Sequence, residues 1–204
     1  RNDDKQFTIN TIVTSEVTEN ISLNGKIAYK RLRSQNFAKG IDLLGGLGYL
    51  DIDPFGATED AKQNNLLNPN RIVGKGDNFK YNFNLNSEII AAFVQAQFNY
   101  NSIDFYTAFY LTSTSHQRVG VYQNGGFSEN SLGPSEKTKF MNYGFKTGAT
   151  YKFTGRHLLD LNAAYLSAAP SIKNTFSNSR ENNNLVLDLQ SEKILSTDIS
   201  YVFR

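Results

Sequence analysis

YGFKTGATYKFTGRHLLDLNAAY, residues 143–165, reads as two strands and the turn that joins them. Side chains of an extended chain point alternately to opposite sides. Tyr143, Phe145, Thr147, Ala149, Tyr151 and Phe153 therefore share one face, and Gly144, Lys146, Gly148, Thr150 and Lys152 the other. After Thr154, Gly155 and Arg156 the alternation resumes, with Leu159, Leu161, Ala163 and Tyr165 opposite Asp160, Asn162 and Ala164. A period of two, broken by a short glycine-containing link, predicts an antiparallel hairpin.

Five more stretches carry the same period. Phe7, Ile9, Thr11 and Val13 form one, and Ile21, Leu23, Gly25, Ile27 and Tyr29 the next. Ile90, Ala92, Val94, Ala96, Phe98 and Tyr100 oppose Gln95, Gln97 and Asn99. Ile103, Phe105, Thr107, Phe109 and Leu111 oppose Asp104, Tyr106, Ala108, Tyr110 and Thr112. Leu195, Thr197, Ile199, Tyr201 and Phe203 close the series. Seven strands are expected, and no stretch shows a helical stripe.

The links alternate in length. Short ones fall at about 15–20, 101–102 and 154–157, and long ones at about 32–88, 114–138 and 168–192. Loops beyond roughly 12–15 residues are uncommon in compact domains. Short turns at one end and long loops at the other are the signature of an outer-membrane β-barrel.

Composition agrees. Aromatic residues are 13% of 204, while all hydrophobic residues reach only 39% and Asn numbers 24. Such a chain is too rich in rings for disorder and too polar for a thick core. The apolar face also holds Thr, Gly and Ala, which lipid tolerates. Its opposite holds Lys26, Lys30, Gln95, Asp104, Lys146, Lys152, Asp160 and Asp198, which suit a wet lumen. Rings gather beside the short turns, where an interfacial girdle would lie. Leu159, Leu161, Tyr165, Phe145, Tyr151, Phe109 and Phe105 are expected to face lipid, and Lys146, Lys152, Asp160, Gln95 and Gln97 the interior. The competing reading of the pattern is a soluble β-sheet with aromatic core ends.

Seven is odd, so the first and last strands run the same way, and open edges are not viable in lipid. The chain is expected to be about seven consecutive strands of a larger antiparallel transmembrane barrel, unless residues 79–85 hide a further hairpin. Starting at Arg1 rather than Met, it reads as a processed chain or an excerpt.

TGRHLLDLNAAYLSAAPSIKNTFSNSRENNN (154–184), followed by LQSEKILSTDISYVFR (189–204), resembles the barrel of TonB-dependent outer-membrane receptors of Bacteroidota. In that family a rising strand enters a loop of the form xAPxxxNxFxxxRxNN, and the descending strand opens with Ser-Glu-Lys, here Ser191, Glu192 and Lys193. DFYTAFYLTSTSHQRVGVYQNG (104–125) is similar to another rising strand and its loop. The resemblance implies a 22-stranded barrel in the Gram-negative outer membrane, with an N-terminal plug and a box that engages TonB. Residues 1–204 would be part of that barrel, without the plug or the C-terminal strands. Their partners would be lipid, the plug, the remaining strands, the TonB complex and a surface lipoprotein. Energised uptake of a nutrient is the implied function. A passive, structural or secretion-associated barrel is the alternative, and a soluble binding module the weaker one.

No enzyme is expected. The absence of Cys removes thiolate metal sites and cysteine nucleophiles, and His116 and His157 are the only histidines. Each is expected at the surface. A net charge of +2 gives no pull toward nucleic acid. Asp51, Asp53, Glu59 and Asp60 offer oxygen ligands, but their spacing does not match a calcium loop, so a solvated acidic loop is expected. GGLG at 45–48 lacks the GK[ST] of a phosphate loop and reads as flexible chain. Asp104, Asp160 and Asp198 are expected to be solvated or paired with Lys146 and Lys152. Tyr49, Phe55, Tyr122, Phe127 and Phe176 could stack on a ligand or pack within the loops. No catalytic, cofactor or metal residues are assigned, and the substrate-binding residues are unknown.

Overall fold

A computed structural model describes residues 1–203. The chain is all-β: β1 (Asn2–Thr18), β2 (Ile21–Lys39), β3 (Tyr49–Leu50), β4 (Ile72–Val73), β5 (Asn78–Asn99), β6 (Ile103–Gly120), β7 (Gly133–Pro134), β8 (Thr138–Lys152), β9 (His157–Ala168) and β10 (Glu192–Phe203). The main sheet runs β1-β2-β5-β6-β8-β9-β10, each neighbour antiparallel, with β7 on the end of β6 and β3–β4 a separate small pair. All seven expected strands are present.

Several outrun the sequence reading. β2 continues to Lys39 and β5 starts at Asn78, so the first long loop is 40–77. Residues 79–85 open β5 rather than forming a hairpin. β6 reaches Gly120, leaving loops of 121–137 and 169–191. The added segments are polar, such as Arg33, Ser34, Gln35 and Asn36 against Asn86, Leu85, Asn84 and Phe83. Backbone pairing satisfies their amides whatever the side chain, so alternation of hydrophobicity fades while the ladder does not.

Register aligns the faces across the sheet. Val13, Gly25, Val94, Phe109, Phe145, Tyr165 and Leu195 form one unbroken cross-strand row on the apolar face. Ile12, Lys26, Phe93, Tyr110, Gly144, Leu166 and Ile194 form the adjoining row on the polar face. The expected assignment of residues to two faces holds throughout.

Glycines shape the polar face. Tyr110 lies across Gly144 and donates to Ser167 O at 3.1 Å; Tyr106 lies across Gly148 and donates to Asn162 Oδ1 at 3.2 Å. A Cβ on Gly148 would sit 2.3 Å from Asn162 and 2.5 Å from the Tyr106 ring, and one on Gly144 2.5 Å from the Tyr110 ring. Both rings thus cross β8 to reach β9, and only a strand without side chains at those two positions lets them.

The buried apolar cluster is small and lies at the loop end. Phe83, Leu85 and Phe176 are buried together, with Tyr81, Ile172 and Leu185 packed around them. Along the middle of the sheet the apolar face is bare: Ile9, Ile27, Ile90, Val94, Phe109, Phe145, Leu161 and Ile199 are each at least 45% exposed.

Candidate functional site

The three long loops join into one cap at the end of the sheet. Loop 40–77 is organised by Asp51, which is buried. Its carboxylate accepts from Asn64 Nδ2 and Lys80 N at 2.8 Å and pairs with Arg71 at 3.0 Å. Lys80 is the left-handed residue (φ 63°) of the irregularity where pairing jumps from Phe37↔Asn82 to Ala38↔Phe79. Asp51 thus holds a bulge in place. Arg71 also donates to Asn78 O and covers the Tyr122 ring at 5.3 Å.

Loop 121–137 binds both neighbours. Leu66 N donates to Gln123 O and Gly125 N to Gln63 O, both at 2.8 Å, which ties it to loop 40–77. A Cβ on Gly125 would meet Asp60 O at 1.7 Å, so glycine alone permits this approach. On the other side Asn183 N donates to Asn130 O at 2.8 Å, and Asn130 and Asn184 bond through their side chains.

Arg118 is the centre of the cap. It is 1% exposed, and its guanidinium donates to Ser131 O (2.8 Å), Asn183 Oδ1 (2.6 Å) and Ser179 O (2.7 Å) while lying 5.2 Å from the Phe83 ring centroid. No carboxylate lies within 4 Å among the described residues. Burial pulls its pKa down to about 10, so it remains charged at neutral pH. One cation therefore fastens loops 121–137 and 169–191 to the strand that carries it. Two residues back, His116 is buried and bonds Pro170 O through Nε2 at 3.1 Å, whereas Nδ1 has no partner.

At the other end of the polar face Asp104 pairs with Lys152 at 2.7 Å, and Asp160 accepts from Thr150 at 2.6 Å. Together with Asn101, Thr154 and Leu158 they line an open depression of about 700 Å³.

The expected sites resolve as follows. Asp51, Asp53, Glu59 and Asp60 do not converge: Asp53 caps its own turn at Phe55 N, Glu59 pairs with Lys62, and no group of three or more acidic, His or Cys side chains that could hold a metal exists among the described residues. Asp51 is not the solvated carboxylate expected, because loop 40–77 closes over it. Residues 45–48 lie in a loop before β3, with no helix after them. His116 corrects the surface expectation: β6 extends past it and loop 169–191 covers it. His157 stands beside Tyr201 and Phe203, half-buried at the start of β9. Of the three aspartates, Asp104 takes the expected lysine partner, and Thr150 separates it from Asp160. Among the loop rings, Tyr49 packs on Phe79, Tyr122 beneath Arg71 and Phe176 in the core, while Phe55 and Phe127 are exposed. Arg118 and Asn142, both buried, have no sequence signal: Arg118 follows His116 and Gln117 in a polar strand end, and Asn142 falls on the polar alternation after Phe140 and Met141.

No known family model matches the chain, and no curated protein matches it.

Proposed function

We propose that the chain is a wall of an outer-membrane β-barrel of the TonB-dependent receptor type, serving the energised uptake of a nutrient. The observation that carries this reading is the bare apolar face. A soluble protein rarely leaves a contiguous apolar patch beyond a few hundred Å² uncovered, and here the patch crosses all seven strands. Its height fits: Ile103 to Ser113 on β6 is about 11 residues, near the 9–11 that a tilted strand needs to cross a bilayer. Tyr100, Phe105, Tyr151, Phe153, Tyr201 and Phe203 border it at the short-turn end, where amphipathic rings favour the lipid–water boundary.

In this reading the polar face lines the lumen, and the loop cap meets the ligand from outside. A plug drawn by TonB, driven by the inner-membrane proton gradient, would release it inward. The sequence likeness at 154–204 supports the receptor class over a passive barrel.

The test has two stages. The polypeptide carrying this chain should be recovered in the outer-membrane fraction and need detergent for extraction. It should then cross-link to TonB in intact cells. Recovery in a soluble fraction without detergent overturns the membrane reading; membrane recovery with no TonB contact leaves a passive barrel.

A further inference from the structure

Charge is distributed unevenly around the bare face. Two cross-strand rows border it at the loop end, Phe7–Arg31–Glu88–Ser115–Lys139 and Lys5–Arg33–Asn86–Gln117. Lys137 joins them through a 2.8 Å bond to Glu88, which Arg31 approaches at 3.8 Å. The Lys137 ammonium holds the Glu88 carboxyl below the usual carboxylate range. The border thus carries five cations, Lys5, Arg31, Arg33, Lys137 and Lys139, against the single carboxylate of Glu88. Farther out, Arg1 and Asp3 neutralise each other. The whole chain has 21 basic and 19 acidic residues, so even mixing would place about as many acids here as bases. The opposite border of the same face is formed by rings.

All five cations are exposed. Among the described residues no carboxylate lies within 4 Å of Lys5, Arg33 or Lys139. They stand one to two cross-strand rows above Ile90 and Met141, so apolar surface gives way to cationic surface within about 7–14 Å, at about 3.4 Å per residue.

We propose that this border binds the phosphate of a lipid headgroup. The inference rests on the membrane reading, since it needs acyl chains against Ile90, Val94 and Phe109 to bring a phosphate level with Arg31 and Lys139. A phosphomonoester presents several charged acceptor oxygens, which suits an Arg fork flanked by ammonium groups. Glu88 positions Arg31 and Lys137 and leaves Arg33, Lys5 and Lys139 free for the anion. A zwitterionic headgroup offers no comparable net charge.

The test uses the intact polypeptide carrying this chain, purified from outer membranes in detergent and titrated with phosphatidic acid or phosphatidylcholine while retained lipid is counted by native mass spectrometry. Phosphatidic acid should be retained at least about tenfold more tightly than phosphatidylcholine, less so at high salt. Removing the three free cations together (Lys5→Gln, Arg33→Gln, Lys139→Gln) should erase the preference, at about fivefold per cation. The charge-preserving pair Lys5→Arg and Lys139→Arg should keep it, which separates lost charge from lost folding. Equal retention of the two lipids by the native protein overturns the proposal and leaves the membrane reading standing. Saturation of the effect by inorganic phosphate in place of lipid also overturns it. A protein that is soluble without detergent removes the reading beneath it instead.

Discussion

Arg118 is a buried cation neutralised by no anion among the described residues, held by oxygens from two loops and a ring. Replacing it with Met keeps the approximate volume but leaves Ser131 O, Ser179 O and Asn183 Oδ1 without a donor. Ser131 O is buried and the other two are partly reachable by water, so at about 1–3 kcal/mol for an unsatisfied buried group Arg118→Met should loosen the cap by about 1–3 kcal/mol. Hydrogen exchange of residues 121–137 and 169–191 should accelerate while β8 and β9 stay protected; unchanged loops would sink the idea. His116 gives the cap a pH dependence. Burial holds its imidazole below the ordinary 6.5, and protonating Nδ1 would add a buried donor with no acceptor. The unfolded chain therefore takes up the proton first. His116's contribution is full above about pH 6.5 and is lost as pH falls toward the depressed folded value. Once exchange is normalised to the intrinsic amide rate at each pH, loop 169–191 should be less protected at pH 5 than at pH 7.5, and His116→Gln should flatten that difference; an identical loss of protection in both proteins argues against the role. Neither residue was legible in the sequence. His116 follows Ser and Thr and Arg118 follows Gln, a context that reads as exposed, and only the lengthening of β6 beneath loop 169–191 buries them.

At the scale of the strand, alternation identified all seven elements and both faces, because side-chain direction follows from backbone geometry alone. Strand ends were legible at the short turns and illegible at the long loops. Beyond Tyr29 and Leu111 the chain stays paired but its outward residues become Arg, Ser and Gln, so hydrophobicity stops reporting the ladder. The faces make a direct prediction. On the membrane reading proposed above, Phe109→Arg places a cation in the middle of a lipid-facing surface and should destabilise the protein in a bilayer by about 2–4 kcal/mol, whereas Ala108→Ser, one residue away on the polar face, should cost much less. Denaturant titration in lipid vesicles measures both. Equal costs would mean that the two faces meet the same solvent. Close contact between strands is as specific as their facing. Gly148→Ala would push a methyl into Tyr106 and Asn162, an overpacking cost of about 1–3 kcal/mol. Adding Tyr106→Ala should remove the ring's share of the clash and release Asn162 from its bond to the tyrosine hydroxyl so that it can turn away, and a thermal-melt comparison should find the double variant more stable than the sum of its parts. Strict additivity would show that ring and glycine do not touch.

For the molecule as a whole, β1 and β10 pair on one side each and run in the same direction, so the sheet is open at both margins. The cap and the turns lie at opposite ends, and on the proposed outer-membrane reading a protease outside intact cells should tell them apart. Lys75 is exposed between Gly74 and Gly76 in loop 40–77, and Arg156 is exposed in the turn before β9. Cleavage is expected at Lys75 with Arg156 spared; the reverse pattern would invert the orientation. A sheet of this length also has to find one alignment among many during assembly. Sliding β8 by one residue exchanges the faces and is heavily penalised, but sliding by two preserves them. The tyrosines that lie on glycines reject even that slip. Moving β8 two places either way sets Tyr106 against Lys146 or Thr150, and Tyr110 against Asn142 or Lys146. A four-place shift seats one ring on a glycine and strands the other against Phe140 or Lys152. Tyr106 and Tyr110 thus act as a two-toothed key whose notches line up in a single position, a proofreading step carried in the strands themselves.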